Sequence, residues 1–212
     1  MTERAKLRVT YGKRIRHQDT PYSISVDSEG IVGLLTNESV SKEDISRLKI
    51  RINSNLQEDA GGIEYDDPNN IEISVDAEEP WSQFDGALTE ARDIQRGKKV
   101  KPRSIQKLLY TKKLPAYLKA APKERGYKTA SKLISNGASR ELNGTLIHEL
   151  RHAVHLFTGK YRFWYSNLGA SIVDFLDFAR YVIDPSEREA SKFEREKRND
   201  PELRDLIRIY PK

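Results

Sequence analysis

The sequence contains no cysteine. Disulfides and thiolate metal sites are therefore excluded, leaving His, Asp and Glu as the side chains able to hold a transition metal. The absence fits a reducing compartment, and a cytoplasmic location is the expectation. Long apolar runs are missing too. No stretch reaches the roughly 18 residues of a membrane-spanning helix, so no membrane partner is expected. The N-terminal MTERAKLRVTYGKR is charged and lacks the apolar segment of a secretory signal. The hydrophobic fraction, 37%, is low for a globular chain, so much of it is surface. Histidine is scarce, at four residues in 212, which gives weight to where the histidines fall.

A chain of this length builds one domain, with room for an appended subdomain. Its first part reads as β. Leu7, Val9 and Tyr11 alternate, as do Tyr22, Ile24 and Val26. Ser28-Glu29-Gly30 reads as a turn into Ile31–Leu35, and Ser41-x-x-Asp44 opens a short helix. Ile50 and Ile52 share a face, and Ile63–Tyr65, DDPNN and Ile71–Val75 read as a hairpin. From there on the chain reads as α. Helical pieces are expected at 83–96, 104–110, 115–121 and 127–134, cut by Pro115, Pro122 and Gly126. A longer helix runs from Ser139 or Asn143 to Phe157, an apolar helix covers Leu168–Ile183, and Asp184-Pro185 starts another. Strands first and helices later predict an α+β fold with a small, mostly antiparallel sheet. The expected divisions are a mainly β part at 1–80, a basic helical insert at 81–138, a helical part at 139–198 and a tail at 199–212.

Three of the four histidines, His148, His152 and His155, fall within eight residues, in TLIHELRHAVH. The segment contains HExxH. On a helix, positions four apart share a face. Two imidazoles at that spacing hold one Zn²⁺ at about 2.0–2.1 Å each, and Glu149 between them lies within reach of a water on the ion as general base. Leu146, Ile147, Leu150, Ala153 and Val154 make the helix a buried one. Arg151 occupies a slot usually uncharged in this motif and faces either solvent or a carboxylate. His155 lies about 10 Å along the axis from His148, too far to share a tetrahedral ion with it, so it is read as supporting or packing rather than ligating.

A catalytic zinc site keeps three protein ligands and an open position. The third is sought in Glu187-Arg-Glu-Ala-Ser-Lys-Phe193. With Ala190 and Phe193 on the buried side, Glu187 and Glu189 flank that side about equally, and geometry alone does not choose. HExxH followed by E-x-E-A-x-x-F resembles the gluzincin-type metallopeptidases, among them the minimal gluzincins, the CAAX-prenyl-protease-like group and the ImmA/IrrE-like peptidases. The resemblance covers residues 145–155 and 184–194. It implies a zincin-like core, a Zn²⁺ cofactor, a peptide or protein substrate, and His148, His152 and Glu187 as ligands, with Glu189 as the alternative. Where such families carry an aspartate just after the alanine, this chain has Ser191. Without a metal, Glu187 would simply close a capping box on Asp184.

The resemblance also places an extended substrate against an edge strand, for which Ile71–Asp76 is the candidate. Tyr161, Tyr165 and His155 are the candidate donors to a developing oxyanion. It further implies that the tail NDPELRDLIRIYPK folds over the cleft as a plug. Residues 96–132 hold thirteen Lys or Arg against one acid, Glu124. They form either a solvated helical surface or a patch for nucleic acid or an acidic partner. Tyr110, Tyr117 and Tyr127 are too few and too regularly spaced there to argue base stacking from sequence.

Overall fold

The structure, a computed structural model, describes residues 7–12, 22–53, 61–67, 70–111, 113–160, 184–198 and 200–211. Among these the chain is α+β, with six strands and seven helices. β1 (Arg8–Tyr11), β3 (Leu48–Asn53), β5 (Asn70–Asp76) and β4 (Gly61–Asp67) form a sheet in that order. β1 is parallel to β3 and β3 to β5; only β4 with β5 is antiparallel. The expected mostly antiparallel sheet is thus corrected to a mixed one. Alternation of apolar residues reports which face of a strand is buried, not which strand lies beside it. The β4–β5 hairpin was legible because its turn is local.

Two further corrections follow from packing. β5 lies inside the sheet, so the expected edge at 71–75 is not an edge; that place belongs to β4. Ser74 is buried together with Ile71, Ile73 and Val75, as in a strand covered on both faces. The stretch Ile31–Leu35 is helical, inside α1 (Ser28–Asn37). Asp27 caps this helix, accepting from the Glu29 and Gly30 N–H groups, and Ile31, Leu34 and Leu35 turn one face into the core. α2 (Lys42–Arg47) opens on Ser41, whose hydroxyl accepts from Asp44 N at 3.0 Å.

α3 (Glu78–Gln95), α4 (Arg103–Leu109) and α5 (Lys113–Ala120) lead into α6 (Lys123–Thr158), a single helix of 36 residues. Gly126 does not interrupt it, and the boundary expected at 138/139 falls inside it. Buried Ala130, Ile134, Ala138, Leu142, Leu146 and Leu150 recur every fourth residue along its length, so an apolar row continues from the basic segment to the histidines, winding about half a turn around the axis. At 1.5 Å per residue α6 spans about 54 Å. It packs on α3, on α7 (Pro185–Lys197) and on the β4–β5 side of the sheet. No described helix is long and apolar enough to cross a membrane.

The C-terminal segment forms part of the core. β6 (Ile207–Pro211) pairs antiparallel with β2 (Tyr22–Val26). Its other side is held by polar side chains of α6. Ile207 N donates to Asn143 Oδ1 at 2.7 Å, Ile209 N donates to Ser139 Oγ at 2.9 Å, and Ser135 Oγ donates to Ile209 O. Ser135, Ser139 and Asn143 lie one turn apart and stand in for a missing neighbour strand. Leu203, Leu206, Ile207 and Ile209 are buried. The tail expected as a plug is therefore a packed element on the N-terminal side of the histidines.

Candidate metal centre

Two helices build the centre. α6 carries His148 and His152 one turn apart and buried. α7 brings Glu187 to them from its first turn, where Asp184 caps the helix by accepting from Ser186 N at 2.7 Å. Glu187 does not turn back to Asp184; it faces the imidazoles. Gly144, one turn before His148, lies under the ends of the Arg198 and Glu194 side chains. A Cβ there would stand 2.8 Å from both Arg198 Nε and Glu194 Oε1.

The three side chains converge. His148 Nε2 is 3.1 Å from His152 Nε2 and 3.2 Å from Glu187 Oε2, and His152 Nε2 is 3.2 Å from Glu187 Oε1. Ligands about 2.0–2.1 Å from a tetrahedral ion stand about 3.3 Å from one another. The imidazole pair stands near such an edge, while Glu187 turns a different oxygen to each ring; one ligand atom from each residue lies within 4.8 Å of the other two. Two imidazoles with one carboxylate suit zinc's donor preference. His148, His152 and Glu187 are the group able to hold an ion among the described residues.

The charges around the centre are shared. Burial alone would lower the His148 pKa, but the Glu187 and Glu194 carboxylates outweigh it and raise it to about 9. Burial alone would raise Glu187, but the two imidazoles hold it well below the usual carboxylate range. Glu194 Oε2 stands 3.8 Å from His148 Nδ1, and that imidazole lowers the Glu194 pKa against the opposing effect of burial. At that distance the pair is an electrostatic contact rather than a hydrogen bond. Sequence reading missed Glu194. Its signal was its spacing, seven residues or two turns beyond Glu187 on the same helix face. It lies on the side where Ser191 leaves no carboxylate.

Glu189 stands apart from the ligand group. It accepts from Arg151, pairs with Lys160 Nζ at 2.5 Å and lies 3.5 Å from His155 Nε2. Arg151 also bonds Glu38 at the end of α1 and stacks 4.8 Å above the Phe193 ring. The unusual arginine in the motif thus faces two carboxylates and ties α6 to α1 and α7. His155 is fully buried, and burial lowers its pKa to about 4, so it is neutral at pH 7. Tyr161, Tyr165 and the helix expected at 168–183 lie outside the described residues.

Glu149 is buried beside the ligands, and its charge acts on His148. It also abuts the start of β4. A Cβ on Gly61 would stand 3.2 Å from Glu149 Oε1 and 2.6 Å from Thr145 Cγ2. A strand without side chains at 61 and 62 therefore runs close to the proposed base, a relation no local pattern announces. Comparison of the chain with protein-family models, curated proteins and solved structures finds no match in any of the three.

Proposed function

We propose that this chain is a zinc-dependent metallopeptidase that hydrolyses peptide bonds. One observation carries the reading: one ligand atom each from His148, His152 and Glu187 lies within 4.8 Å of the others, with Glu149 buried beside them. When bound, zinc supplies a Lewis acid and a water whose pKa falls to about 7. The chain's own residues do the rest. The two imidazoles and Glu187 hold the ion, with the Glu194 charge 3.8 Å behind His148. Glu149 accepts the water proton on a carboxylate oxygen and returns it to the leaving amine nitrogen.

The fold also offers a place for substrate. Among the described residues β4 pairs with β5 alone, and its first residue, Gly61, lies against Glu149. An extended peptide laid along β4 forms main-chain hydrogen bonds with little dependence on sequence.

The test is digestion of a mixed peptide library by the purified, zinc-loaded chain, read by mass spectrometry. Glu149→Gln is expected to retain its zinc while turnover falls by about 100-fold or more. Undiminished turnover in that variant, or cleavage indifferent to chelation, would overturn the reading.

A further inference from the structure

The basic segment does not belong to the metal centre. Lys123 and His148 are 25 residues apart on one helix, about 37 Å along its axis. All twelve described Lys and Arg residues between 96 and 132 are exposed. Lys98 pairs with Asp93 at 2.8 Å, yet the segment's own single acid leaves the patch strongly positive. Such a concentration of one sign repels itself and adds nothing to the core, whereas it attracts a polyanion.

Two structural features say which polyanion. The end of α3, the link to α4 and the α5–α6 corner enclose a cleft of about 650 Å³. Lys98, Lys99, Lys119 and Lys123 line it, together with apolar Ile94 and Leu118. Near the other end of α5, Tyr110 stands in the left-handed region at φ 50°, where a helix end normally takes glycine. Its side chain is 79% exposed. The backbone is strained by a tyrosine that the core does not use. A ring displayed in this way, three residues in sequence from exposed Lys107 and Lys113, is a stacking surface for an unpaired base. Tyr117, on α5, is 39% exposed and adds a second ring. Ten of the thirteen basic residues are lysines. Lysines meet phosphates as point charges, without the bidentate reading of base edges that arginine provides.

We propose that the surface running from the end of α3 to the start of α6 binds single-stranded nucleic acid with little sequence preference. Its lysines contact phosphates and Tyr110 stacks on a base. An acidic protein would satisfy the charge but leave the strained, exposed tyrosine unused.

The experiment is fluorescence anisotropy on the full chain with labelled oligothymidylate and oligouridylate of about 16 nucleotides, the matching duplex, and polyglutamate as competitor. Salt is varied from about 50 to 200 mM. Single strands are expected to bind more tightly than the duplex and to resist polyglutamate. The triple variant Lys99→Ala, Lys119→Ala, Lys123→Ala should weaken binding and flatten the log–log salt slope by about 2. Tyr110→Ala should weaken it about tenfold without changing the slope. Circular dichroism and bound zinc, unchanged in both variants, show that the fold is intact. No binding at the lowest salt, equal competition by polyglutamate, preference for the duplex, or wild-type affinity in both variants would each overturn the proposal.

Discussion

At His148 two carboxylates act on one imidazole, and the result has a sign. Its pKa rises from 6.5 to about 9 in the folded, metal-free chain. The stabilisation this brings is fully present below pH 6.5 and is lost as pH rises through about 9. The metal-free wild type should therefore lose thermal stability between these values relative to His148→Gln, whose position 148 does not titrate. Parallel melting curves across that range would refute the account. The two glutamates of α7 are separable in the same way. Glu187→Gln should lose stoichiometric zinc, because one of the three converging ligands is gone. Glu189→Gln should keep it, because Glu189 faces Arg151 and Lys160. Plasma emission analysis of the two dialysed variants checks this, and zinc lost from Glu189→Gln but not from Glu187→Gln would reverse the ligand assignment.

The helices and strands position these residues through a few polar joints. Arg151 joins α6 to α1 and α7 through Glu38 and Glu189, so the motif helix and the glutamate helix are held in register by a partly buried charge group. Asn143 joins α6 to β6. Removing its side chain leaves Ile207 N without its acceptor, and a buried unsatisfied donor costs about 1–3 kcal/mol. Asn143→Ala should lose about that much in urea unfolding, with the metal ligands untouched. A loss below a few tenths of a kcal/mol would mean that the joint is not structural. Among the elements, the single span of α6 was legible in principle, since its every-fourth-residue row continues through 138. Pro122 and Gly126 hid it, because Pro122 only precedes the helix and Gly126 costs about 1 kcal/mol or less, which packing on α3 offsets.

Over the whole molecule, α6 is the axis from which both proposed activities are displayed, the metal centre near its C-terminal end and the basic surface at its start. Because the proposed zinc site joins two helices distant in sequence, a bound ion would stabilise the fold as a whole. Zinc at a hundred times its Kd contributes about 2.7 kcal/mol, about 5–10 °C of melting temperature for a chain of this size. Chelation should lower the calorimetric midpoint by that amount, and an unchanged midpoint would mean that no ion is held between the helices. The sequence by itself determined the α+β class, the hairpin, the capped helix starts and the pairing of His148 with His152, because each depends on neighbours within a few residues. Only the tertiary structure decided the parallel strand pairings, the approach of β4 to Glu149, the turn of Glu187 inward and Glu189 toward Arg151, and the placing of Glu194 near His148. The reason is physical: periodicity determines which face of an element is buried, but the neighbour that buries it is chosen by packing across the fold.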